Sequence, residues 1–155
     1  MSDKTETLNE IFNSIQRINS KVNLLRLITK AKQEYDKYDF EAGRKSLIEA
    51  YLINKKSPVV LRGLGCISQY NKKYGLAEKY FKKALKYSEK KEVEYALLGV
   101  LFYIQDRLDE AIEFFNLAID NNDEYDYAYE GRNQAMLENH IRIVDLQDNL
   151  KNNFK

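Results

Sequence analysis

The sequence predicts an all-α fold: three antiparallel helix pairs stacked side by side, with one further helix at each end. Three observations predict it. The middle of the chain repeats itself at a fixed offset of 34, as Leu64-Gly65 and Leu98-Gly99 show. Within each copy, apolar and small residues recur three and four apart, the spacing of a helix face and not the alternation of a strand. The 155 residues also contain only one proline and six glycines. That is too few chain breakers for a turn-rich sandwich or barrel.

Composition sets the outer limits. The length suits one ordinary domain. At 44% hydrophobic and 32% charged residues, the chain is too apolar for disorder and too polar for a membrane protein. No stretch approaches the ~18 unbroken apolar residues of a membrane span. The single cysteine, Cys66, excludes an internal disulfide framework, and with the lone His140 it excludes a His/Cys-rich zinc site. The first residues, Met1 to Glu6, lack the basic-then-apolar layout of a secretion signal, so a cytoplasmic location is expected. A net charge of +1 gives no global attraction to nucleic acid or anionic lipid, and neither is expected as a partner.

The first element, residues 1–23, reads as a helix. Leu8, Ile11, Ile15, Ile18, Val22 and Leu25 are spaced 3, 4, 3, 4, 3, an a/d seam of nearly three heptads. Such a helix either caps the open face of the first repeat or joins two copies into a homodimer through the seam. Phe12 widens the seam and fits both cases. Ser20 either ends the helix or lies within one that runs on toward Lys37.

The repeats follow without gaps, at 24–57, 58–91 and 92–125. Leu64-Gly65 recurs as Leu98-Gly99, Ala77 as Ala111, Phe81 as Phe115 and Ala84 as Ala118, always at the same offset. The same step backwards gives Gly43, Leu47 and Ala50, a more diverged first copy. In each copy one periodic half precedes a polar turn, such as Asn71-Lys72-Lys73 or Gln105-Asp106-Arg107, and a second periodic half follows. Small residues at 65, 77 and 84 let two helix backbones approach, and Leu64, Phe81 and Leu85 fill the space around them. Pro58 opens the second copy, where a helix start tolerates it.

The last element, 126–155, reads as a capping helix from about Asp126. Ala128, Tyr129 and either Ala135 or Met136 would contact the third repeat. Asp145 stands where the repeat would need an alanine, so no fourth copy follows. Ile141, Val144 and Leu150 continue a weakly amphipathic helix that frays by Asn152.

These residues resemble the tetratricopeptide repeat family. That family has the same repeat length, with Leu-Gly in the first helix and Ala, an aromatic and Ala in the second. The string 108–115, Leu-Asp-Glu-Ala-Ile-Glu-Phe-Phe, is close to its consensus. Two departures stand out. The family's proline near the repeat end is replaced by Lys55, Glu89 and Asp123, and the first copy has Lys30-Ala31 in place of Leu-Gly.

The resemblance implies a right-handed α-α superhelix whose first helices line a concave groove that binds peptides. The implied groove positions are Leu25, Ile28, Lys32, Tyr35 and Asp36 in the first copy. In the second they are Val59, Arg62, Cys66, Gln69 and Tyr70, and in the third Val93, Ala96, Val100, Tyr103 and Ile104. Tyr127, Glu130, Gln134 and Leu137 hold the same phase in the cap. This lining is mostly apolar and rich in tyrosine, which suits a protein or peptide partner. Members that grip acidic chaperone C-termini use Lys and Asn at positions that here are Ile28, Lys32, Gly63, Val93 and Leu97. Only Lys32 is basic, so an extended or helical apolar segment is the expected ligand.

The whole layout is also similar to the small chaperones that hold translocator proteins of bacterial type III secretion. The stretch Leu64-Gly65-Cys66-Ile67-Ser68-Gln69 resembles their second repeat, and those proteins dimerise through an N-terminal helix. A self-assembling scaffold is the further alternative.

Charge is uneven. Residues 72–91 hold eight Lys and two acids, and 106–130 hold nine acids and one Arg. A solvated exterior with cross-helix pairing is the plain reading, and partner steering the functional one. Catalysis has no support. There is no Ser/His/Asp or Cys/His set, and Gly63-Leu64-Gly65 lacks the ending of a phosphate loop. The chain is read as a non-enzymatic interaction module, an adaptor, scaffold or chaperone, with no cofactor and no metal.

Overall fold

A computed structural model describes residues 2–153, with side chains for 6–151; Met1, Phe154 and Lys155 lie outside the described residues. The described residues form seven α-helices: α1 (Ser2–Asp36), α2 (Phe40–Ile53), α3 (Pro58–Tyr70), α4 (Tyr74–Tyr87), α5 (Lys91–Tyr103), α6 (Leu108–Asn121) and α7 (Asp126–Asn153). They pack in chain order, α1 on α2, α3 on α4 and α5 on α6, each pair on the next, and α7 closes on α5 and α6. α2, α4 and α6 start at Phe40, Tyr74 and Leu108, which are equally spaced at the offset of the repeat. The period in the sequence is therefore a period in space. No helix among the described residues is long and apolar enough to cross a membrane.

The turn inside each pair repeats as well. Tyr38, Lys72 and Asp106 have φ of 61°, 57° and 67°. The amide after each donates back over five residues: Asp39 N to Glu34 O at 2.9 Å, Lys73 N to Ser68 O at 2.8 Å and Arg107 N to Phe102 O at 3.0 Å. This closure is usually built on glycine. A side chain in that conformation costs roughly 1–2 kcal/mol, and the flanking helix packing holds it there.

Packing within the pairs turns on two phenylalanines. Phe81 and Phe115 are fully buried. A Cβ on Gly65 would stand 2.4 Å from the Phe81 ring, and one on Gly99 would stand 2.9 Å from the Phe115 ring. Phe115 is also covered from α7, where a Cβ on Gly131 would come within 2.4 Å of it. The first pair reaches the same closeness differently. Leu47 takes the aromatic's place, and a Cβ on Gly43 would lie 3.3 Å from the Ala31 carbonyl. Lys30-Ala31 thus works because the glycine has moved to the opposite helix.

The flanks resolve two alternatives. α7 meets the third repeat through Ala128 and Ala135, both fully buried, whereas Met136 is 51% exposed. Arg142 ties it to the α5–α6 turn by a two-pronged hydrogen bond to Asp106, one prong 2.8 Å, and to Glu138 at 3.0 Å. That guanidinium holds the Asp106 carboxyl below its ordinary range. Beyond Arg142 the side chains to Lys151 are exposed, and the helix runs through Asn153, past the fraying point expected at Asn152.

At the other end, α1 passes unbroken through Ser20, so the expected boundary at 23/24 lies inside a helix. Leu24, Leu27, Ile28 and Ala31 pack on the first repeat's core. The heptad seam lies on the opposite side of α1, and its six residues are 49–66% exposed. The seam therefore covers none of the first repeat.

The glycines make a paired prediction for urea unfolding. Gly65→Ala should destabilise the chain by about 1–2 kcal/mol, because overpacking against Phe81 outweighs the gain in helix propensity. A methyl at Gly75 would have nothing within 4 Å of it. Gly75→Ala should therefore give the opposite sign, a gain of about 0.5 kcal/mol.

Candidate functional site: an inner wall with two depressions

The first helices α1, α3, α5 and the capping α7 form one wall of the superhelix, and α2, α4 and α6 form the other. Two depressions open on the first wall. One, of about 340 Å³, lies between α1 and α3 and is lined by Ile28, Lys32, Tyr35, Val59, Arg62 and Cys66, with Leu47 and Ile67 beneath. The other, of about 310 Å³, lies between α5 and α7 and is lined by Val100, Tyr103, Ile104, Tyr127, Glu130 and Gln134, with Phe115 and Gly131 beneath. Both lie on the wall expected to form the groove.

Twelve of the nineteen implied groove residues line these basins: Ile28, Lys32, Tyr35, Val59, Arg62 and Cys66 in the first, Val100, Tyr103, Ile104, Tyr127, Glu130 and Gln134 in the second. Leu25, Asp36, Gln69, Tyr70, Val93, Ala96 and Leu137 line neither. Tyr70 packs on Phe40 with ring centroids 4.1 Å apart, and Phe40 meets Tyr35 edge-on at 4.9 Å. This aromatic run closes one end of the first basin. Gln69 is half-buried on α3, and its Oε1 is buried without a hydrogen-bond partner. Ala96, implied as a groove residue, is instead fully buried in the core.

Burial pushes the Cys66 thiol up, and the nearby Arg62 guanidinium offsets this only in part. At neutral pH the residue is a protonated, weakly polar lining group. Burial also raises the Tyr35 hydroxyl, helped by Cys66 and Tyr70. In the second basin Gln134 Nε2 donates to the Tyr103 hydroxyl at 3.0 Å. Hydrogen bonding to Glu138, then burial, holds Tyr103 above its usual range. Among the described residues no group of His, Cys, Asp and Glu is placed to hold a metal ion.

A charged contact links α3 to α5 behind the first basin. Arg62 Nε on α3 donates to Glu94 Oε1 on α5 at 3.1 Å. Glu94 is 0% exposed, and its Oε2 has no partner. The sequence reading missed it. The signal was present: at the same position one repeat earlier stands Val60, a fully buried apolar residue. Glu94 is a carboxylate at a core position.

The outer wall carries the uneven charge. Lys82 pairs with Glu78 at 2.6 Å on α4, and Arg107 pairs with Glu110 at the start of α6. Lys83 Nζ reaches across to the Tyr51 hydroxyl at 2.7 Å. A third cavity, of about 400 Å³, opens between α2 and α4 beside Arg44, Ile48, Leu76 and Tyr80; no sequence pattern pointed to it.

The Arg62–Glu94 pair yields a stability prediction. Arg62→Ala strands a buried carboxylate and should cost about 3 kcal/mol in urea unfolding. The double change Arg62→Leu with Glu94→Leu should recover most of that loss, since an apolar pair of similar size removes the buried charge altogether.

No family model and no curated protein matches the chain. Solved structures do. The TPR domain of Arabidopsis OM64 superposes with a TM-score of 0.70 at 15% identity, covering 77% of this chain and 98% of that one. The second TPR domain of human RPAP3, solved in complex with the HSP70 peptide SGPTIEEVD, gives 0.67 at 12% identity, covering 76% and 98%. A Thermobaculum terrenum O-GlcNAc transferase mutant gives 0.70 at 18% identity, over 76% of this chain but only 22% of the transferase. Likeness at these identities speaks to architecture, and with the internal period and the helix pairs it establishes that the chain has the tetratricopeptide-repeat fold, a right-handed α-α superhelix.

Proposed function

We propose that the chain is a non-enzymatic protein-interaction module whose inner wall takes a segment of a partner polypeptide. One observation carries the reading: two open apolar basins lie along the same wall, and the chain's own flanks leave both uncovered. α1 before Leu24 and α7 beyond Arg142 lie clear of the repeats. Apolar side chains spaced along an extended or helical segment would fill the basins. Lys32, Arg62, Tyr103 and Gln134 would bond its backbone at their rims. The similarly folded human RPAP3 domain was solved in complex with an HSP70 peptide, which supports a peptide as the kind of partner. An acidic C-terminus is disfavoured as ligand, because Lys32 alone among the implied clamp positions is basic.

A chaperone holding a secreted client is a finer reading of the same wall. It draws support from the layout of three helix pairs, the first opened by the long α1 and the last closed by the long α7.

Selection of a displayed random-peptide library on the chain tests the proposal. Enrichment of apolar segments is expected. The enriched peptides should lose at least about tenfold in affinity, ~1.4 kcal/mol, on Val59→Asp or Ile104→Asp. Both residues are exposed at a basin rim, so the fold should be unaffected. Peptides that bind both variants as well as the parent would place recognition elsewhere.

A further inference from the structure

The N-terminal seam is left without a partner by the fold, and its charges say how it finds one. We propose that two copies of the chain associate through residues 8–25 of α1, paired antiparallel. Helices in proteins draw most of their stability from packing an apolar face, yet this stretch of α1 leaves exposed six apolar residues at strict heptad spacing. All six face solvent, on the side of α1 away from α2. The seam is therefore independent of the repeat core and free to meet another helix.

The orientation follows from charge. The start of the exposed segment is acidic, with Glu6 and Glu10, and its end is basic, with Lys21 and Arg26. Taking Leu8 as a and Ile11 as d, Lys21 falls at g and Arg26 at e. In a parallel, in-register pair each g residue faces the e residue five further on in the other helix. Lys21 would then face Arg26 twice, and the acidic ends would lie together. The antiparallel pair removes the Lys21–Arg26 repulsions and brings the acidic end of each chain level with the basic end of the other. It also layers every a residue against a d residue: Leu8 on Leu25 of the second copy, Ile11 on Val22, and Ile15 on Ile18 at the two-fold axis. α7 is the weaker candidate for the same role. Its exposed run Leu137, Ile141, Val144 meets Asp148 at the next position of the pattern.

This inference does not rest on the basins. Sedimentation of the full chain should give twice the monomer mass. Ile15→Asp with Ile18→Asp should reduce it to the monomer, with the helical circular dichroism of the repeats retained. Ile104→Asp, which tests the basin, should leave the dimer intact. Orientation is read by disulfide trapping in a Cys66→Ala background. A mixture of Leu8→Cys and Leu25→Cys chains should cross-link under mild oxidation, and Leu8→Cys alone should not. A monomeric parent chain would overturn the proposal. So would a dimer that survives the Ile15 and Ile18 changes, because α7 or a repeat face would then hold it. Self-cross-linking of Leu8→Cys would overturn the antiparallel pairing.

Discussion

A buried ring set against a helix that has no side chain at the contact is the interaction on which the rest of this molecule depends. Phe81 sits on Gly65, and Phe115 sits between Gly99 and Gly131. Removing one methyl from each contact lets helix backbones come close, and the ring fills what would otherwise be a void. The closeness fixes the angle within a pair and from pair to pair. That angle sends α1, α3, α5 and α7 to one wall and the other helices to the opposite one. The basins exist because small residues on one wall leave room between large ones.

The inner wall is held by one further device. Arg62 on α3 and Glu94 on α5 link neighbouring pairs. Taking a carboxylate out of water costs several kcal/mol, and a single arginine offsets this only in part. The contact is therefore better understood as fixing how α3 meets α5 than as adding net stability. It also changes the character of the groove. Arg62, half-buried at the rim of an apolar basin, is partly neutralised from behind. It is suited to bonding a carbonyl and less suited to drawing in an acidic segment.

Much of this was legible in the sequence. The residues that repeat are the residues that became core: Ala77, Ala84, Ala111 and Ala118 are all fully buried beside the two phenylalanines. Period and side-chain size carry that information directly. The left-handed turns were not legible, because Tyr38, Lys72 and Asp106 carry no glycine signature and are held by packing that only the fold supplies. Glu94 was hidden by its type, since a charged residue in a helix is ordinarily read as surface. The continuity of α1 was undecidable locally. Ser20 is tolerated inside a helix, and nothing in the neighbouring residues says whether the seam faces the first repeat or water. The inward turn of Ala96 was not legible either, because its groove phase said nothing of the neighbours that bury it.

The glycine-on-ring contact can be measured by a double-mutant cycle at Gly131 and Phe115, followed by urea unfolding. If the ring is what excludes a side chain at 131, Gly131→Ala should be costly in the parent chain and nearly free beside Phe115→Leu. The coupling energy should then be at least about 1 kcal/mol. Additive costs for the two changes would contradict the account.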